Sequence, residues 1–369
     1  MLEHSREAGR EAHLFTYAAG VNGVAPSFPL HRTGTFPRVT SLKSGPSLGK
    51  VLLDARMAVE LRALEKKLAP EVIVAHHVEA AAQALLVAKA PVVFFAHTDL
   101  NAELPAYAPG APQLMAAGLA RAGGALDGWL AKRAGAVALI SKSLRAPFAA
   151  QLGVASDKLF YVPTPWRVAQ PFAANERAES RHSLGLAPDS QVLLYAGNLD
   201  RYQGIELLLA AVSMLKATHE RLVCLFATES DARELRGQAA ALGLSGRLFV
   251  TRLAGAAARR LAHAAADVAV VPRLCPGGLP IKLLDALARG VPCATLPRAC
   301  AGLPLDASVE LAENDEPAAL ARAIDTLLRS PERRAELASA GPRYIAEQHA
   351  APHFFAGLDA AIACARGRR

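Results

Sequence analysis

The densest group of residues able to grip an anion is PRLCPGGLPIKLLDALARGVP, residues 272–292. A predicted strand, Val268–Val271, runs into a loop with Gly277 and Gly278, and a helix follows with Pro280 in its first turn. Glycines ahead of a helix let a ligand approach the backbone, and the unpaired N–H groups of the first turn attract phosphate. Arg273 at the strand end and Lys282 in the first helical turn could aim positive charge at one anion. Lys282 and Asp285 are three apart and share a helical face. A cation for a diphosphate and a carboxylate for ribose hydroxyls suit a nucleotide-linked ligand. The same spacing also fits an ordinary helix with an internal ion pair and a structural glycine turn.

A second turn, YAGNLDRYQGIELLLAAVSML (residues 195–215), repeats the strand–glycine–loop–helix arrangement. Gly197 ends the strand, Gly204 relaxes the turn, and Asn198 and Gln203 offer neutral hydrogen bonds. In the first half, VIVAHHVEA (72–80) and VVFFAHTDLNAELPAYAP (92–109) each end a strand on histidine. His97, with Asp99 and Glu103 nearby, could orient a hydroxyl or move a proton. His76 and His77 are weaker candidates.

These groups need a scaffold, and the hydrophobic pattern predicts one. Short β-rich runs alternate with Ala/Leu-rich helical stretches, as in parallel sheets wrapped by helices. The first half gives strands at His13–Tyr17, Val72–Ala75, Val92–Ala96 and Ala136–Ile140, with a helix over Val51–Leu68 and a loop over 20–50. The second gives strands at Val192–Ala196, Leu222–Ala227, Leu248–Thr251, Val268–Val271 and Pro292–Leu296. Helices at Ile205–Lys216, Asp231–Leu242, Ala256–Ala265 and Pro280–Arg289 separate them. The proline-rich segment around Pro163–Pro171 predicts a connector. The expected domains are 1–165, joined by a C-terminal helix at 343–365, and 166–342. Ligands of such sheets bind beyond the carboxyl ends of the strands.

Composition narrows the class. Hydrophobic residues are 52% and charged residues 20% of the 369, which excludes general disorder. A net charge of +8, evenly spread with aromatics at only 5%, suits anionic ligands or an acidic membrane surface at least as well as nucleic acid, and no nucleic-acid partner is expected. Five cysteines without a CxxC pair argue against a disulfide framework or zinc site and for a cytoplasmic location. No GxGxxG follows the first strand, and GxxxxGK[ST], GxSxG, HExxH and DxD motifs are missing.

With these motifs in order, the second half resembles the family 4 retaining glycosyltransferases of the GT-B superfamily. The resemblance rests on YAGNLDRYQGIELLLAA, LAHAAADVAVVPR and GLPIKLLDALARGVPCAT, and more loosely on AHHVEA, FFAHTDLNAELPAYAP and KLFYVPTP. It implies two facing Rossmann-like domains, the first for an acceptor and the second for a nucleotide diphosphate sugar donor, without a metal cofactor. The family's loop glycine and basic pair would fall on Gly197, Asn198 and Gln203, where both basic positions are neutral. Its paired glutamates would fall on Gly277 and Asp285, the first lost and the second shortened. The expected donor site is therefore Gly197, Asn198, Gln203, Arg273, Gly278, Lys282, Leu283 and Asp285, with His97 catalytic.

The family's opening strand and glycine-rich loop have no counterpart before AGREAHLFTY: either the first domain begins on a helix and lacks them, or a misassigned start leaves them out of this sequence. The expected activity is transfer of a hexose to an acceptor hydroxyl with retention, in polysaccharide or lipid-linked glycan synthesis. It would take place in the cytoplasm or at the inner membrane face, with peripheral contact to anionic lipid. A non-catalytic nucleotide-sugar-binding protein and a GT-B sugar-nucleotide epimerase remain alternatives.

Overall fold

Alternation of buried strands and half-buried helices builds two units, each described by itself. The computed structural model describes residues 5–6, 9–18, 28–35, 48–108, 110–275, 278–305 and 307–368. Unit 1 comprises Met1–Pro165 with Phe354–Arg369, and unit 2 comprises Trp166–His353.

In unit 1, β1 (Leu14–Thr16) pairs in parallel with β2 (Leu30–Arg32), so a strand lies within the segment expected to be loop. Helix α1 (Leu48–Leu68) then precedes β3 (Ile73–His76), α2 (His77–Val87) and β4 (Val92–Ala96). Next come α3 (Leu100–Ala106), α4 (Gln113–Arg133), β5 (Ala136–Leu139) and β6 (Leu159–Tyr161). Strands β3–β6 form a parallel sheet in chain order. All five residues of β4 and all four of β5 are buried, the continuous apolar run expected of strands covered on both faces.

Unit 2 opens with α5 (Glu176–Ser183), β7 (Gln191–Ala196), α6 (Ile205–Leu215) and β8 (Leu222–Thr228). It continues through α7 (Arg233–Ala241), β9 (Leu248–Arg252), α8 (Gly255–Ala265) and β10 (Val268–Val271). After these follow α9 (Ile281–Ala288), β11 (Cys293–Thr295), β12 (Glu310–Leu311), α10 (Pro317–Arg329) and α11 (Pro331–Gln348). The six strands are parallel in the order β9-β8-β7-β10-β11-β12. Strand order therefore reverses between β7 and β10, the switch point at which doubly wound sheets bind ligands.

The return to unit 1 comes later than the sequence suggests. Helix α11 stays with unit 2, where Gly341 packs so closely that an added Cβ would lie 2.9 Å from the Leu287 carbonyl oxygen. The Trp166 N–H also donates to the His349 oxygen at 2.8 Å. The contribution to unit 1 begins at Phe354, within α12 (Ala351–Gly367), and not at residue 343. Among the described residues no helix is long and apolar enough to cross a membrane.

Candidate functional site

The switch point brings two distant turns together. One follows β7 and runs from Gly197 to Gly204; the other follows β10 from Pro272 to Pro280. The Leu274 N–H donates to the Tyr202 oxygen at 2.9 Å, fastening one turn to the other. Gly204 adopts φ +71°, and an added Cβ would lie 2.0 Å from the Pro272 oxygen. Gly204→Ala therefore forces both a left-handed alanine and a backbone displacement. The expected cost is about 3 kcal/mol of unit 2 stability, read by urea unfolding; an unchanged midpoint would mean that the two turns are not locked together here.

Lys282 reaches back from the first turn of α9 to the β7 turn. Its Nζ donates to Tyr195 Oη at 2.8 Å and to Gln203 Oε1 at 2.5 Å, and lies 4.6 Å from the Tyr195 ring centre. Gly197 leaves room for it, since a Cβ there would stand 2.9 Å from Nζ. The Arg273 guanidinium carbon is 5.8 Å from the Tyr202 ring centre, and its Nε is buried without a partner. Neither cation forms an ion pair among the described residues. Burial lowers the Lys282 amine to about 7, helped by the Arg273 charge and opposed by Asp200. Two neighbouring cations with no ion-pair partner among the described residues thus stand at the sheet switch point, an arrangement suited to an anion.

Unit 1 gathers titratable groups at the carboxyl ends of β3 and β4. His97 Nε2 lies 3.0 Å from His76 Nδ1, so one nitrogen donates and the other accepts. Burial and neighbouring histidine charge hold His97 down at about 3 and His76 at about 4, and both rings are neutral at pH 7. His77 sits at φ +73°, a strained conformation for a residue with a Cβ, and its Nδ1 is 2.9 Å from Glu79 Oε2. Lys50 also pairs with Glu79. Burial raises the Glu79 carboxyl, yet the hydrogen bonds from His77 and Lys50 outweigh it and bring the group down to about 2.

Two family models take in most of the sequence. "Glycosyl transferase 4-like domain" matches residues 1–165, and "Glycosyl transferases group 1" matches 176–344. Both halves of the chain are thus glycosyltransferase family domains. A curated relative, the "Uncharacterized glycosyltransferase MJ1607" of Methanocaldococcus jannaschii, is 26% identical over 161 residues, covering 42% of this chain and 40% of that protein. This glycosyltransferase thus matches less than half the length of that relative. Its fold is similar to a sucrose-phosphate synthase from Thermosynechococcus elongatus, with TM-score 0.79, 18% identity, and coverage of 96% of this chain and 88% of that one. It is also similar to Anabaena HepE in complex with UDP and glucose, with TM-score 0.71, 17% identity, and coverage of 91% and 86%.

The glycosyltransferase fold places the expected residues unevenly. Gly197, Asn198, Gln203, Arg273 and Lys282 converge on the switch point, while Gly278 is buried in the loop leading to α9. Gly277 lies outside the described residues. Leu283 has a fully buried side chain, and its N–H donates to the Pro280 oxygen at 2.8 Å, so its geometry serves packing.

Asp285 departs most from expectation. It is buried, with Oδ1 2.9 Å from Arg289 Nε and Oδ2 3.4 Å from Arg259. Each oxygen thus faces a guanidinium group, so the carboxylate expected at a ribose is engaged in ion pairs within the unit. Tyr195, Asp200 and Tyr202 escaped the sequence reading although they lie inside the quoted turn. Their roles depend on which neighbours the sheet brings, and only the aromatic-rich spacing of YAGNLDRYQG hints at them.

Proposed function

We propose that this glycosyltransferase moves a hexose from a nucleotide diphosphate sugar to an acceptor hydroxyl with retention at the anomeric carbon, in polysaccharide or lipid-linked glycan synthesis. Unit 2 takes the donor and unit 1 the acceptor. The observation that supports this most is the pair of uncompensated cations, Arg273 and Lys282, at the switch point of the unit 2 sheet. The bond from the anomeric carbon to the diphosphate oxygen breaks, and a bond to the acceptor oxygen forms. Negative charge builds on the departing diphosphate oxygen, which takes up the proton that the acceptor hydroxyl gives up as the new bond forms.

Fixed positive charge aimed at that oxygen lowers the barrier, with about 3 kcal/mol per well-placed group as the usual scale. Neutral His97, held by His76, is suited to orient a hydroxyl on the sugar or acceptor; its depressed basicity makes it a poor proton store at pH 7. The likeness to HepE, crystallised with UDP and glucose, makes uridine diphosphate sugars the first donors to test. A lipid-linked acceptor would place the protein at an anionic membrane surface, which its net positive charge favours.

The test is titration of UDP-glucose, ADP-glucose and GDP-glucose into the protein, followed by turnover with lipid-linked acceptors and determination of product anomeric configuration. Arg273→Ala is expected to weaken binding of the tightest donor at least tenfold. Failure of the wild-type protein to bind any nucleotide sugar, or unchanged affinity in the variant, overturns the reading of this site.

A further inference from the structure

The switch point holds a chain of side-chain hydrogen bonds whose direction is fixed at both ends. The Asp200 carboxylate can only accept, so Asn198 turns its amide nitrogen to it, with Nδ2 to Oδ2 at 2.7 Å. That leaves the Asn198 oxygen for Gln203, whose Nε2 donates to it at 2.8 Å. The Gln203 oxygen must then face the one group that only donates, the Lys282 ammonium, at 2.5 Å. Gln203 is 6% exposed, so solvent does not compete for this orientation. A fifth participant is Tyr195, which donates its proton to the Asn198 oxygen of the main chain at 2.5 Å and presents a lone pair to Lys282.

We infer that Gln203, oriented by Asn198, is the positioning residue for Lys282: it fixes the ammonium through a neutral acceptor and keeps the nearest carboxylate two amides away, leaving the full charge for the ligand's diphosphate. This rests on the donor-site reading above. A carboxylate at position 203 would hold the lysine equally well but cancel its charge and repel the ligand. The neutral amide fixes position without neutralisation, and the relay through Asn198 transmits only an attenuated pull from Asp200. Because the side-chain ends of residues 203 and 282 meet, the ammonium could be delivered from either side. The charged and titratable groups around it are Asp200, Tyr195 and Tyr202 from β7 and its turn, and Arg273 from the turn after β10.

The experiment measures affinity for the tightest of UDP-glucose, ADP-glucose and GDP-glucose between pH 6.5 and 9. Four proteins are compared: wild type, Lys282→Gln, Gln203→Glu and the exchange variant Gln203→Lys/Lys282→Gln. Lys282→Gln is expected to lose at least thirtyfold. Gln203→Glu, which keeps the shape of the side chain, is expected to lose at least tenfold and to abolish the fall of affinity above pH 7, since its carboxylate keeps Lys282 protonated. The exchange variant is expected to recover to within about fivefold of wild type.

Wild-type affinity and pH profile in Gln203→Glu overturn the inference, as does an exchange variant that folds yet binds as weakly as Lys282→Gln. In either case a weakened Lys282→Gln leaves the donor site standing. Undiminished binding by Lys282→Gln itself instead removes Lys282 from that site. Thermal unfolding establishes whether each variant is folded, and Gln203→Glu decides alone if the exchange variant is not.

Discussion

Lys282→Met is expected to lower nucleotide-sugar affinity at least thirtyfold while stabilising unit 2 by about 1–2 kcal/mol at pH 6. The two effects share one cause. The ammonium is largely desolvated and held only by Tyr195 and Gln203, beside the like charge of Arg273. Without ligand that charge costs stability; with a diphosphate in place it is compensated. Methionine removes both the cost and the attraction.

The pH dependence follows from the same amine. Its proton is held with a value near 7 in the folded protein, against 10.5 ordinarily. Between these values the unfolded chain binds a proton that the folded chain lacks, so this group makes stability rise from about pH 7 to about pH 10.5. Below pH 7 both states are protonated and the contribution is flat. Donor affinity runs the other way. Above pH 7 the free protein must take up a proton to present the cation, so affinity is expected to fall by up to about tenfold per pH unit. Isothermal titration from pH 6.5 to 9 and urea unfolding over pH 6–10 measure both slopes. A Lys282→Met protein that binds as tightly as wild type, or retains the wild-type slopes, would contradict this account.

Asp285→Asn is expected to destabilise unit 2 by about 3 kcal/mol, with a much smaller effect on donor affinity in the protein that remains folded. The carboxylate is buried between Arg289 and Arg259, with His263 Nε2 3.8 Å from it. An amide in its place leaves Arg289, itself largely buried, without a compensating charge. Urea unfolding gives the stability and titration with UDP-glucose gives the affinity. Unchanged stability with a large loss of affinity would instead support the ribose-binding role that the sequence suggested.

The alternation of apolar runs with helical stretches made the parallel α/β architecture readable in the sequence, because strands such as Val268–Val271 are buried on both faces and carry no polar interruptions. The two strand–glycine–helix turns were readable for a similar local reason. Gly204 and Gly197 stand where a side chain would collide with Pro272 or Lys282, so composition marks the turn before any contact is known. The family resemblance added the donor-side reading. What the sequence could not determine is adjacency: β7 and β10 are separated by two strands and three helices, and only the reversal of strand order makes them neighbours.

That adjacency decides the chemistry of Lys282 and Asp285. Three residues apart on one helix, they look like a pair; in the fold one joins Tyr195 and Gln203 and the other joins Arg259 and Arg289. Periodicity fixes the angle between two side chains on a helix, whereas their partners depend on which distant elements pack against each side. The local pattern therefore determined where the turns and charges lie along the chain. Tertiary packing determined which charge is neutralised by an ion pair inside the protein and which has none among the described residues.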